Sequence, residues 1–174
     1  MRVIAGEFRS RKLKTLPGFK TRPTPDRLRE ALFNVLSPQI DGAVFIDAYA
    51  GTGAVGIEAL SRGAARGIFV EKSRAAVEVI RDNLAALGIA GRAEVYTGKS
   101  TAVLERVNAD IVFLDPPYEN AIEYEQAMEL LGGRENGLVI VQHASRFPLR
   151  EGYGILKRTR VLKQGDNSLS FYER

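Results

Sequence analysis

The sequence contains no cysteine, no tryptophan and a single histidine, His143. Without cysteine there are no disulfides, no thiolate metal ligands and no cysteine nucleophile. One histidine cannot build a histidine-rich zinc centre, and it disfavours a Ser-His-Asp relay. No run of about eighteen apolar residues is present, and no secretory-leader pattern opens the chain. We therefore expect a soluble, cytoplasmic protein that binds no membrane and no metal. Its chemistry must rest on carboxylates, hydroxyls, backbone groups and a cofactor. Repeats and low-complexity linkers are also missing. The 174 residues, 45% hydrophobic and 26% charged, read as one domain over 1–174, long enough to bury a sizeable core.

Acidic residues are scarce at both ends. Residues 1–29 carry nine Lys/Arg against Glu7 and Asp26, and residues 146–163 carry six against Glu151. The whole chain is only +4, so the middle is acidic. One basic segment is most often a solvated face. Two of them flanking an acidic centre fit a polyanion held at the rim of a site.

Val3, Ile4, Phe8, Leu13 and Leu16 alternate weakly around Gly6, which predicts a basic β-hairpin extension within residues 1–20. Thr21-Arg22-Pro23-Thr24-Pro25 reads as an extended connector. Thr24 is placed to cap a helix with Pro25 at its first position, and Leu28, Leu32, Val35 and Leu36 form its apolar stripe. A β–α alternation follows. Strands are expected at 44–46, 68–70, 93–96, 111–114 and 138–141, with helices between them. The tail reads as extended segments at 152–162 and 167–173, joined by the turn Gln164-Gly165-Asp166-Asn167. The fold class is α/β, a Rossmann-like parallel sheet with helices on both faces.

Two strand ends carry the chemistry. Asp115-Pro116-Pro117-Tyr118 follows the apolar run Ile111–Leu114. Each proline fixes φ and removes an N–H, so the backbone offers acceptors without competing donors, and the Asp115 carboxylate adds more. Tyr118 supplies a flat face. Such a site suits a planar ring bearing an –NH2, although a proline-stiffened turn with a packing tyrosine is the plainer reading. The first strand runs into Asp47-Ala48-Tyr49-Ala50-Gly51-Thr52-Gly53-Ala54-Val55-Gly56, and the second ends at Glu71. A glycine turn after the first strand with an acid closing the second points to a nucleoside cofactor. The spacing also satisfies the dinucleotide fingerprint. Against NAD stand Asp47, which would repel a pyrophosphate, the lack of a hydride-relay histidine or substrate domain, and an amine-accepting strand end. S-adenosylmethionine has a ribose, no phosphate, a cationic sulfonium and a methyl group to give, and resolves all three.

The chain resembles the bacterial 16S ribosomal RNA guanine-N2 methyltransferases, the RsmD family, nearly end to end. The matching segments include Met1–Gly6, Arg11-Lys12-Leu13, Thr21-Arg22-Pro23-Thr24 with Asp26-Arg27, and Arg29–Asn34. They continue through the glycine turn, Gly56–Ala64, Val70-Glu71, Leu114–Tyr118, and Gly165-Asp166 with Leu169–Tyr172. The resemblance implies a Rossmann-like methyltransferase sheet and transfer from S-adenosylmethionine to the N2 of a guanine in 16S RNA or the small subunit. It implies cofactor contacts at Asp47, Ala48, Tyr49, Gly51, Thr52, Gly53 and Glu71, with Arg22 and Thr24 over the methionine end. Asp115, Pro116, Pro117 and Tyr118 would be catalytic. Arg2, Arg9, Arg11, Lys12, Lys14, Arg146, Arg150, Lys157 and Arg158 would bind RNA, and a monomer is expected. Two departures matter. The family often has an acid near the adenine, where this chain has Gly98-Lys99-Ser100, leaving backbone or Ser100 for that contact. It often has Glu-His where this chain has Gln142-His143, and no catalytic role falls to His143. A DNA amino-methyltransferase, a protein-glutamine methyltransferase and a non-catalytic ribosome-assembly factor remain alternatives.

Overall fold

A computed structural model describes residues 1–17 and 25–174. The predicted connector 21–25 lies outside them, apart from Pro25, as do the capping role of Thr24 and the cofactor residues Arg22 and Thr24. Among the described residues, eight strands form one sheet in the order β3-β2-β1-β4-β5-β8-β7-β6. The strands are β1 (Val44–Asp47), β2 (Arg66–Glu71), β3 (Ala93–Thr97), β4 (Ile111–Leu114), β5 (Leu138–Ala144), β6 (Gly152–Tyr153), β7 (Leu156–Gln164) and β8 (Asn167–Glu173). The helices are α1 (Asp26–Leu36), α2 (Ala54–Ser61), α3 (Arg74–Ala86), α4 (Ser100–Leu104) and α5 (Ala121–Gly132).

The parallel expectation holds for β1 to β5. Beyond β5 the tail hairpin expected from the sequence joins the same sheet, with β8 antiparallel to β5 and β7 antiparallel to β8. The tight turn at Gly165, whose φ is 61°, closes β7 onto β8, and a link that short permits only antiparallel neighbours.

Strand alternation sorts the core into two layers. Phe45, Phe69, Phe113, Ile140 and Phe171 face α1, α2 and α3. Ile46, Val70, Leu114, Val141 and Tyr172 face α4 and α5. Gly56 is where α2 comes closest to the sheet, since a Cβ there would lie 2.4 Å from the Phe69 ring. Helix α1 begins at Asp26, one residue later than the sequence predicts, with Pro25 in the flanking cap position. Leu28, Leu32 and Leu36 are buried as expected, and so is Arg29. No helix among the described residues is long and apolar enough to cross a membrane.

The N-terminal β-hairpin expected within residues 1–20 is reduced, among the described residues, to one antiparallel bridge between Arg2 and Lys12. Its backbone donors are shared: Val3 N, Ser10 N and Leu13 N donate within the arm to the Arg11, Val3 and Met1 carbonyls, while helix α2 takes those of Ile4, Ala5, Glu7 and Phe8. The Glu58 carboxylate accepts from Ile4 N (2.8 Å) and Ala5 N (3.0 Å), and Ser61 Oγ accepts from Phe8 N. Gly6, with φ 87°, sits against the Ser61 carbonyl where no side chain fits. Glu58 is fully buried, accepts from Arg62 Nε at 2.9 Å, and has Arg29 Nε at 4.0 Å. Arg29 in turn donates to the Arg2 carbonyl at 2.7 Å. One buried carboxylate thus holds the arm to two helices. Removing one member of a buried charge network leaves the others uncompensated, at about 3–5 kcal/mol. Glu58→Gln should therefore lower the unfolding free energy by about 3 kcal/mol and speed amide exchange at Ile4 and Ala5. A loss below about 1 kcal/mol in urea titration would contradict this account.

Candidate active site

Period-2 alternation carries three acids to one place. Asp47 pairs in register with Phe69 and Phe113, so its side chain lies on the α1–α3 face. Glu71 and Asp115 follow those phenylalanines by two residues on the same face, Glu71 closing β2 and Asp115 just past the end of β4. Ligands of open α/β sheets bind at this edge.

Glu71 shapes the glycine turn. Its Oε2 accepts from Gly51 N at 2.8 Å and its Oε1 from Ser73 N at 3.0 Å. Gly51 and Gly53 have φ of 57° and 91°, a left-handed backbone that glycine adopts without strain. Asp47 sits beneath the turn, 2% exposed, and accepts from Gly56 N at 3.0 Å. Ala48 is buried and its carbonyl accepts from Ser100 Oγ. The Ser100 hydroxyl, expected near adenine, is buried and spends its hydrogen on that carbonyl. Lys99 is exposed, and Thr52 and Tyr49 are half-buried. Tyr49 donates to Glu123 Oε2 at 2.9 Å, a contact invisible in the sequence.

The electrostatics are one-sided. Burial, with Glu71 nearby, raises the Asp47 carboxyl to about 7. Burial and the neighbouring Asp47 raise Asp115 well above the usual carboxylate range. Among the described residues no Lys or Arg forms an ion pair with Asp47, Glu71 or Asp115. The three do not converge as a metal-ligand set among those residues. The cleft thus favours a cationic ligand and disfavours a pyrophosphate.

The Asp115-Pro116-Pro117-Tyr118 loop is held from three elements. Tyr124 on α5 shares its single hydroxyl hydrogen between the Gln142 carbonyl (3.1 Å) and the Pro116 carbonyl (3.3 Å). Pro116 O keeps a lone pair for another donor. Tyr118, half-buried, donates to Asn167 Oδ1 at 2.6 Å, and Gln142 Nε2 donates to its hydroxyl at 3.2 Å. Asn167 and Gln142 were missed as site residues. In the sequence they read as a turn residue and as a departure from the family, and only the fold puts β8 beside β5. His143 turns to the opposite face, where Nε2 accepts from Ser170 Oγ and the other ring nitrogen donates to Ala144 O, both at 2.8 Å. Burial lowers its pKa, consistent with a neutral ring.

The predicted basic residues divide into engaged and unengaged. Lys14 pairs with Asp82, Arg11 donates to Ala86 O, and Arg2 donates to Ser10 O. Arg150 pairs with Glu125 and Glu129 and Arg158 donates to Leu149 O. Arg9, Lys12, Arg146 and Lys157 are exposed. Arg160 and Lys163, not singled out in the sequence, are exposed on the same strand as Lys157.

The sheet order, the glycine turn and the carboxylate edge define an α/β methyltransferase fold. A structure from Escherichia coli named "Putative methyltransferase yhhF" superposes with a TM-score of 0.88 at 35% identity, covering 100% of this chain and 97% of that one. The family model "Conserved hypothetical protein 95" matches residues 1–173, and the chain belongs to this family, the RsmD-like proteins. Bacillus subtilis "Putative rRNA methyltransferase YlbH" is 34% identical over 100% of this chain and 99% of its own length. "Ribosomal RNA small subunit methyltransferase D" of Escherichia coli is 41% identical over 79% of this chain and 68% of its own length.

The raised Asp47 pKa has a consequence for stability. A carboxyl that titrates near 7 folded and near 3.8 unfolded binds its proton more tightly in the folded state. Its favourable contribution is full below about pH 4 and is lost as pH rises through about 7. The unfolding free energy of cofactor-free wild type, measured against Asp47→Asn, should therefore fall between pH 5 and pH 8. A difference that does not change with pH would contradict it.

Proposed function

We propose that the protein is an S-adenosylmethionine-dependent methyltransferase that places a methyl group on the exocyclic N2 of a guanine in 16S ribosomal RNA. The carrying observation is the cleft in which Asp47, Glu71 and Asp115, with no cation paired to them among the described residues, adjoin a Pro-Pro-Tyr loop. Family membership and the relatives' names support an RNA substrate. We place the enzyme in the cytoplasm, as a single-domain monomer acting on RNA, a small subunit or an assembly intermediate.

The residues present fit the cofactor. Gly51 and Gly53 let backbone approach it, Glu71 has lone pairs left for ribose hydroxyls, and buried Asp47 favours its positive charge. When bound, S-adenosylmethionine supplies an electrophilic methyl on a sulfonium. Its charge would lower the Asp115 pKa, so the carboxylate is ionised when substrate arrives. Asp115 and the Pro116 carbonyl accept the hydrogens of the amine, whose lone pair is otherwise delocalised into the ring, and favour a tetrahedral nitrogen. Placement and preorganised dipoles supply most of the acceleration. Asp115 or water takes the surplus proton after transfer. Tyr118 stacks on a base turned out of its helix or loop. Phosphates are held by the N-terminal arm and by β7, where Lys157, Arg160 and Lys163 have no ion-pair partner among the described residues.

Unmodified small subunits incubated with protein and cofactor should yield N2-methylguanosine in a nucleoside digest read by mass spectrometry. Asp115→Ala should abolish the product and still bind cofactor. Near-wild-type transfer by that variant, or no methylated nucleoside on subunits or stripped RNA, would overturn the reading. Charges on an edge strand also guard against aggregation, and salt dependence separates the two roles. Arg160→Ala with Lys163→Ala should reduce the slope of log affinity against log salt by about 1–2. An unchanged slope in a variant that aggregates would assign β7 to solubility alone.

A further inference from the structure

The hydroxyl of Tyr118 sits between two strands that the sequence does not connect to it. It donates to Asn167 Oδ1 at 2.6 Å and receives from Gln142 Nε2 at 3.2 Å. Asn167 opens β8 immediately after the tight turn, in register with Ala144 on one side and Gln164 on the other. Ser145 N donates to the Asp166 carbonyl at 2.8 Å and Ser145 Oγ to the Gly165 carbonyl at 3.0 Å, fixing the turn onto β5. The acceptor is therefore on rigid backbone. Tyr118 itself follows two prolines, and exposed Pro117 stands next to it.

We propose that Asn167 is a positioning residue for methyl transfer, fixing the plane of the Tyr118 ring so that a base stacked on it brings its amine to Asp115 and the Pro116 carbonyl. The inference rests on the function proposed above and deepens it. Asn167 acts through the phenol, whose hydrogen it accepts. The chemistry asks for an acceptor at position 167, since the phenol is the donor there. Gln142 contributes from the other side, and its own backbone carbonyl takes the Tyr124 hydroxyl that also reaches Pro116. The stacking face and the acceptor carbonyl thus share one scaffold. Through Asn167 the ring is also tied to the hairpin whose other strand carries Arg160 and Lys163, so phosphate grip and base placement have a common frame.

A mis-set geometry falls on the chemical step more than on binding. Asn167→Ala should lower kcat about tenfold while the Kd for S-adenosylmethionine moves less than about twofold. Asn167→Asp, which keeps an acceptor, should recover most of the lost kcat, and Asn167→Leu should not. In a Tyr118→Phe background, where the phenol donor is gone, Asn167→Ala should have little further effect on kcat. A turn role alone would instead lower the melting temperature of all three variants and add to Tyr118→Phe undiminished. Wild-type kcat in Asn167→Ala, additivity with Tyr118→Phe, or failure of the Asp variant to restore kcat would each overturn the proposal. No transfer by wild type would instead overturn the function it rests on.

Discussion

Everything at the site depends on placing like charges together on one sheet face without a cation among them. Asp47, Glu71 and Asp115 reach the same edge because β1, β2 and β4 are parallel and adjacent, with Asp47 in register with Phe69 and Phe113. Such an arrangement costs folding free energy, visible in the raised pKa values of Asp47 and Asp115. The cost is tolerated because the backbone N–H groups of Gly51, Ser73 and Gly56 turn two of these carboxylates into the braces of the glycine turn. One set of atoms organises the turn and leaves carboxyls that an entering cation ionises. A ligand with positive charge then gains what the empty site withholds.

The rest of the molecule keeps that edge open and addressed. The phenylalanine layer and the close contact of α2 at Gly56 fix the strands beneath it. On one side, Asn83 links the N-terminal arm to the glycine turn by hydrogen bonds to Lys14 and to the Thr52 carbonyl. On the other, the β7–β8 hairpin brings Asn167 to Tyr118. The two basic ends of the chain are thereby attached to the cofactor half and the acceptor half of one cleft. This gives physical meaning to a charge pattern that composition alone leaves ambiguous.

The sequence made the strands and helices legible because each carries a clean period and a turn signal at its ends. Asp47, Glu71 and Asp115 were legible because strand-end acids have fixed positions in a β–α alternation. What stayed hidden depended on long-range pairing. The arm alternates like a hairpin, yet Glu58 and Ser61, more than fifty positions away, satisfy the donors of Ile4, Ala5 and Phe8. Arg29 lies off the predicted apolar stripe of its helix and is nonetheless buried beside Glu58. Ser100 looked available for adenine and bonds inward to Ala48. Asn167 and Gln142 meet Tyr118 only because β8 inserts next to β5, which no local pattern encodes. Residues whose role is set by their own segment could be read, and residues set by a partner elsewhere could not.

The central claim is that the cleft is built for a cation, and proton linkage tests it most directly. Isothermal titration in buffers of different ionisation enthalpy would count protons exchanged on binding near neutral pH. The account predicts that S-adenosylmethionine binds with net proton release, as its charge lowers the pKa values of Asp47 and Asp115. S-adenosylhomocysteine, which lacks the sulfonium charge, should release fewer protons, and Asp47→Asn should diminish the effect for both. Equal proton exchange for the two ligands, or none, would contradict the account.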